Sequence, residues 1–168
     1  GGGLQVALVG AIPERRLLIE TVYGYVMFKN GVPIGYGANT AVFGSSETAY
    51  TVFETFRSGE AAWMYGRVLA VIRHVFGCDT FMVEPYQLGE DNDDALRSGA
   101  WWFYYKAGFR PRDPKVVALV RRERERMKKQ PGYRSSPATL RALATRPCWR
   151  NMPASATATS RCAYRAST

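Results

Sequence analysis

Apolar and polar positions alternate with a period of two over the first third of the chain and recur at helical spacing further on. Residues 4–12 (Leu-Gln-Val-Ala-Leu-Val-Gly-Ala-Ile) form the first run, and Pro13 closes it, which predicts a strand. A second extended run over 17–28, rich in Ile, Val and Tyr, ends in Lys29-Asn30-Gly31, and Asn-Gly signals a tight hairpin turn. The return strand over 32–43 holds Pro33 and several glycines, which predicts an edge or bulged position. Gly44-Ser45-Ser46-Glu47 predicts another turn. A third strand is expected over 48–56, with Tyr50, Val52, Glu54 and Phe56 on one face and Thr51, Phe53 and Thr55 on the other.

After that strand the period changes. Met64, Val68, Ile72 and Val75, joined by Tyr65, Leu69 and Phe76, predict an amphipathic helix over 61–76 that ends at Gly77. Residues 80–84 read as a short buried strand stopped by Pro85, followed by an acidic loop holding Glu90, Asp91, Asp93 and Asp94. A second helix is expected over 95–107, ending at Gly108. The strand–helix–strand order implies a right-handed crossover and a parallel strand pair inside a mixed sheet. A charged helix of about 16 residues starts at Pro114, and a short one starts at Ser136-Pro137, with Ser as cap and Pro in the first turn. The fold class is therefore α/β of the α+β kind, a mixed and mostly antiparallel sheet with flanking helices.

Composition changes this picture in three places. The chain has 168 residues, 46% of them apolar, which excludes wholesale disorder. No apolar run reaches the roughly 18–20 residues that a membrane-spanning helix needs. The net charge of +9 is confined to one end: residues 1–125 hold 14 basic and 14 acidic side chains, whereas 126–168 hold nine basic ones and no acidic one. A nucleic-acid reading would use that end, yet Arg121, Arg122, Arg124, Lys128 and Lys129 alternate with Glu123 and Glu125 as on a salt-bridged, solvated face. Beyond Arg146 the text becomes Ala, Ser, Thr and Arg without periodicity, so 147–168 is expected to be a disordered basic tail. Cys78, Cys148 and Cys162 show no paired spacing, which fits a reducing cytoplasm, and a single histidine, His74, puts a histidine-rich metal site out of reach. His74 falls on the solvent side of its helix, no G-x-S-x-G elbow exists, and a serine hydrolase is disfavoured.

The candidate chemistry lies in the turn between the third strand and the first long helix. Phe56-Arg57-Ser58-Gly59-Glu60-Ala61-Ala62 opens that helix with small residues. A helix start offers unpaired N–H groups and a positive dipole end to an anion. Ala100-Trp101-Trp102-Phe103-Tyr104-Tyr105-Lys106-Ala107-Gly108-Phe109 resembles the A-x-x-[FL]-Y-x-K-x-G-F segment of the GNAT N-acyltransferase superfamily. The order hairpin, strand, phosphate-type turn, helix, strand, Tyr-bearing helix is similar to that family's core over roughly 22–111. The resemblance implies a GNAT-like domain over 1–112, with a helical extension over 113–146.

It also implies a chemistry. The co-substrate would be acetyl-CoA or another acyl-CoA, its diphosphate on the backbone of the 56–62 turn and its pantetheine arm where the third strand and the 80–84 strand splay apart. Tyr104 stands at the position of a general acid for the departing thiolate. Glu54, or else Glu84, would take the proton of the attacking amine. The acceptor is a small-molecule or protein amine, which the acidic loop would attract if it is cationic. The turn departs from the family's [QR]-x-x-G-x-[GA], because Arg57 stands one residue too close to Gly59, and Glu60 opposes an anion. Only about 20 residues precede the hairpin, where the resemblance implies a strand and two helices, so this part is expected to be short or missing. A sheet so shortened would expose an edge and an apolar face, which favours a homodimer. The rival to acyl transfer is a catalytically silent GNAT-like binding module.

Overall fold

The computed structural model describes residues 3–16, 22–57 and 59–152. Its centre is a seven-stranded sheet in the order β1-β2-β3-β4-β5-β7-β6. The strands are β1 (Leu4–Gly10), β2 (Val22–Lys29), β3 (Val32–Val42), β4 (Ser45–Val52), β5 (Thr80–Val83), β6 (Arg110–Pro111) and β7 (Cys148–Asn151). All neighbours are antiparallel except β4 and β5, which run parallel on either side of helix α1 (Ala61–Phe76). The mixed, mostly antiparallel sheet with flanking helices is the architecture that the periodicity predicts.

The hairpin turn falls at Asn30-Gly31, both with positive φ (52° and 81°), as the Asn-Gly signal requires. Phe43-Gly44 repeats this geometry (49° and 75°), so the second turn comes earlier than expected and β4 already starts at Ser45. β4 also ends early. Phe53 donates its last strand-like bond to the Ile34 carbonyl, and a 3-10 turn over Glu54–Phe56 follows. Glu54 and Phe56 therefore leave the strand face on which alternation puts them. β3 is not an edge strand: it lies between β2 and β4. Pro33 is tolerated there because it sits at the strand's start, beside the register shift between Met27 and Phe28.

The face of the sheet toward α1 is built in rows. Tyr25, Gly37 and Tyr50 stand opposite one another across β2, β3 and β4, and so do Met27, Gly35 and Val52. Each glycine leaves room for the large β2 side chain to cross β3. The Tyr25 hydroxyl reaches over Gly37 to donate to the Ala49 carbonyl at 2.5 Å. A Cβ on Gly37 would lie 2.1 Å from that carbonyl oxygen and 2.2 Å from the Tyr25 hydroxyl. Against these rows α1 buries Met64, Tyr65, Val68, Leu69 and Ile72.

The expected second helix is two pieces, α3 (Asp93–Ser98) and α4 (Ala100–Lys106), and a short α2 (Pro85–Leu88) that the periodicity does not predict precedes them. Gly99, left-handed at φ 68°, ends α3 and turns the chain into α4. Helix α5 (Pro114–Lys129) starts where the sequence predicts, capped by Asp113, and α6 (Pro137–Ala144) begins at its predicted cap, Ser136. They are not a separate extension, because Val116, Val120, Leu140, Leu143 and Ala144 join the same core as the sheet. Glu123, expected on a solvated face, is fully buried. It accepts from Ser135 Oγ at 2.6 Å and from the Tyr133 hydroxyl at 3.1 Å, while Arg126 neutralises it at 3.0 Å. Ser135 Oγ in turn accepts from the Trp102 indole at 3.1 Å, which ties α5 to α4.

The stretch expected to be a tail from 147 onward begins instead with β7, inserted between β5 and β6. Its placement is fixed by buried Cys148, by Arg112 stacked 4.3 Å over the Trp149 ring and by Arg150 donating to the Ala107 carbonyl at 2.6 Å. The rest of the expected tail, 153–168 with Cys162, lies outside the described residues, and so do 17–21 of the second run. Cys78 and Cys148 are free, buried thiols. Among the described residues no helix is long and apolar enough to cross a membrane.

Two glycine substitutions separate the crossing rows from ordinary helix propensity. Gly37→Ala drives a methyl into the Tyr25 hydroxyl and Ala49 carbonyl and should lower stability by about 3 kcal/mol in urea unfolding. Gly66→Ala, inside α1 with nothing within 4 Å of the new Cβ, should raise it by about 0.8 kcal/mol. A Gly37→Ala variant as stable as the parent would contradict the crossing of Tyr25 over β3.

Candidate active-site cleft

The parallel pair β4–β5 is short. Ser45, Ser46 and Glu47 face Thr80, Phe81 and Met82, and beyond that point the strands separate. Thr48 marks the divergence, since its hydroxyl meets the Tyr65 hydroxyl at 2.8 Å and the Met82 carbonyl at 3.4 Å. β5 continues against β7 on its other side, which leaves the second half of β4 with a free edge among the described residues. A cleft of about 710 Å³ opens there, lined by Ala49–Val52 of β4 on one wall and by residues of α2, α3 and α4 on the other. The expected splay is thus present.

Arg57 and Ala61, from the start of α1 and the turn before it, and Phe103 and Tyr104 of α4 belong to the cleft lining. Arg57 is held by its own Nε, which donates to the Val52 carbonyl at 3.0 Å. The Tyr50 hydroxyl donates to the Ala61 carbonyl at 3.0 Å and so ties β4 to the start of α1. The Glu60 side chain does not cap α1, and among the described residues the N–H groups of its first turn carry no side-chain partner. Glu60 does not stand alone: Lys29, at the end of β2, pairs with it. The charge that opposes an anion at this turn is thereby offset, and Arg57 is the cationic side chain of the cleft lining among the described residues. Ser58 lies outside the described residues. Phe56, Gly59, Glu60 and Ala62 are outside the cleft lining, although Phe56 packs on the core and Gly59 has open space around it.

Tyr104 is 3% exposed and packs edge-on against Tyr65 (5.6 Å) and Phe109 (5.8 Å). Among the described residues its hydroxyl has no hydrogen-bond partner, in contrast to those of Tyr25, Tyr50 and Tyr65. Burial, reinforced by the nearby Tyr50 hydroxyl, pushes its pKa well above the usual tyrosine value, so the group keeps its proton. Burial raises Tyr25, Tyr50 and Tyr65 as well.

The two carboxylates predicted as bases are not brought to this cleft. Glu54 is exposed on the 3-10 turn that ends β4, and Glu84 is a half-buried residue just before α2. Neither belongs to the lining, where Asp94 is the carboxylate present among the described residues. Asp94 lies in the first turn of α3 and pairs with Arg97. His74 is exposed, as its helix position predicts. Tyr50 and the cap Asn92 are cleft residues that the pattern alone does not single out, although Asn92 followed three residues later by the apolar Ala95-Leu96 pair is a readable helix start.

No family model and no curated protein matches the chain. Solved structures similar to it are N-acetyltransferases. PaiA N-acetyltransferase from Thermoplasma acidophilum, in complex with coenzyme A, matches 55% of this chain and 54% of its own at 15% identity, with a TM-score of 0.43. A GNAT family acetyltransferase from Elizabethkingia anophelis with acetyl-CoA bound matches 67% of this chain and 80% of its own at 16% identity, with a TM-score of 0.47. Spermidine N-acetyltransferase from Vibrio cholerae, a dodecamer, gives 65% and 81% at 12% identity and a TM-score of 0.43. The chain spans about half the length of the Thermoplasma acidophilum enzyme that it matches. The class is a GNAT-like fold, read from the chain's own order of hairpin, β4, α1, splayed β5 and aromatic helix.

The four buried tyrosines predict an alkaline limit. The unfolded chain releases their protons near pH 10, whereas the folded chain holds them to higher pH, so the unfolded state loses protons first. Stability present below pH 10 should therefore fall above it by about 1.4 kcal/mol per pH unit for each such tyrosine. In a pH-jump titration a large part of the phenolate absorbance should appear only together with loss of the folded state. Full ionisation of every tyrosine in a folded chain would contradict the burial.

Proposed function

We propose that the protein transfers an acyl group from acyl-CoA to an amine by direct attack. The observation that carries this reading is the free edge of β4 at the splay, where backbone groups that are neither paired with β5 nor exposed on a flat surface line one wall of a cleft. An extended amide-bearing arm such as pantetheine can add to such an edge as a strand would. The uncapped start of α1, with Arg57 beside it and Glu60 offset by Lys29, supports an anion at the end of that arm. The diphosphate would rest on the turn that includes Phe56, Arg57, Ser58, Gly59, Glu60, Ala61 and Ala62.

In the step proposed, the amine nitrogen bonds to the acyl carbon and the carbon–sulfur bond breaks. Tyr104, whose hydroxyl is neutral and has no hydrogen-bond partner among the described residues, gives its proton to the departing thiolate and takes one back from solvent before the next turnover. The amine's proton passes to Asp94 in the cleft wall and from there to solvent. Asp94, in the cleft wall, draws a cationic acceptor and stands in the proton-accepting place that the sequence gives to Glu54 or Glu84. The buried free thiols of Cys78 and Cys148 support a reducing, cytoplasmic setting for the reaction.

Tyr104→Phe, which keeps the ring packing and removes only the hydroxyl, should lower kcat about 100-fold while acetyl-CoA affinity changes less than twofold. Steady-state turnover on a panel of primary amines, with calorimetric titration of acetyl-CoA beside it, measures both. Unchanged turnover removes Tyr104 from the reaction. Tight acetyl-CoA binding by the parent with no turnover on any amine instead favours the silent binding module.

A further inference from the structure

The two edges of the sheet are built differently. β6, at one end, is two residues long and consists of Arg110 and Pro111, so charge, shortness and a missing N–H protect it. β1, at the other end, has seven residues (Leu-Gln-Val-Ala-Leu-Val-Gly), no charge, no proline and no register shift against β2. In a chain with a net charge of +9, this edge carries none of those protections, and among the described residues no strand pairs with it.

Its hydrogen-bonding parity can be read from one contact. Asn30 N–H donates to the Gly3 carbonyl at 2.9 Å, so Gly3 faces β2. Alternation then turns Gln5, Ala7 and Val9 toward β2, and leaves the N–H and C=O groups of Leu4, Val6, Leu8 and Gly10 pointing away from the sheet. The side chains of Leu4, Val6 and Leu8 lie on the core side and are only half-buried, which leaves their apolar row unfinished. On the other side Ala7 and Val9 are exposed, Val9 at 60%.

We propose that β1 is the interface of a homodimer, in which two copies pair antiparallel across a two-fold axis at Ala7. The edge is complementary to itself in this register. Val6 meets Leu8 and Leu4 meets Gly10 of the second copy, outward groups face outward groups, and about eight backbone hydrogen bonds form. The half-buried Leu4, Val6 and Leu8 row continues into the same row of the second copy and is completed by it. No like charges oppose each other along the strand, which is what a second copy of a basic chain requires of its contact. The sheet becomes continuous through fourteen strands, twice the seven of one copy.

The test is the mass of the full chain in solution, by sedimentation velocity over a hundredfold concentration range. The account predicts a species of twice the 18.8 kDa chain mass. Ala7→Lys places two like charges at the axis without touching the core or the β1–β2 ladder, and should give a monomer with the parent's circular dichroism. Ala7→Glu should do the same. Equimolar mixing of the two should restore the dimer, a result that a merely misfolded variant cannot produce. A parent that stays at 18.8 kDa throughout overturns the proposal, and so does a dimer that Ala7→Lys leaves intact.

Discussion

Much of this molecule follows from the place where β4 and β5 stop pairing. Three residues of each strand face each other, and then the Thr48 hydroxyl, bridging to Tyr65 and Met82, takes the place of the next backbone contact. A strand in a closed sheet spends all its backbone groups on its neighbours. Here the second half of β4 does not, and the free edge becomes a wall of the cleft. The edge stays open because both strands are committed elsewhere. β5 is taken by β7 on its far side, and β4 is fixed to α1 through the Tyr50 hydroxyl and to the Arg57 side chain through the Val52 carbonyl.

The rest of the fold holds these two strands apart. On one side, Tyr25 and Met27 cross β3 over Gly37 and Gly35, so β2, β3 and β4 pack as one layer. On the other side, the aromatic cluster of Tyr65, Phe103, Tyr104 and Phe109 fills the angle between α1 and α4. Farther out, buried Glu123 locks α5 to the segment before α6 and, through Ser135, to Trp102 on α4. Such a buried carboxylate is costly unless all its partners are present, and here Ser135, Tyr133 and Arg126 supply them. The position of Tyr104 thus depends on contacts made from three directions.

How much of this the sequence discloses depends on the range of the forces involved. The limits of α1 and α5, the Asn30-Gly31 turn and the cap Ser136 are local matters of periodicity and backbone chemistry, and each is legible. β7 is not, because four residues that include Cys148 and Trp149 show no alternation of their own and become a strand only by fitting between β5 and β6. Glu54 is misplaced for a similar reason: alternation continues past Val52, while the chain has already turned. Glu60 reads as a defect in an anion site because its partner, Lys29, is thirty-one residues away in sequence. Tyr104 and Arg57, singled out in the sequence, line the cleft, whereas the absence of Glu54 and Glu84 from its lining and the presence of Asp94 and Tyr50 in it are consequences of tertiary geometry.

The claim on which the functional account rests is that the free edge of β4 receives the pantetheine arm. Hydrogen–deuterium exchange of the full chain, with and without saturating acetyl-CoA, tests it most directly. The account predicts slowed exchange in the peptide that spans Ala49–Val52 and at the start of α1, with little change along β1. Acetyl-CoA that leaves exchange at Ala49–Val52 unaltered, in a sample shown by calorimetry to bind it, would place the ligand elsewhere and contradict the account.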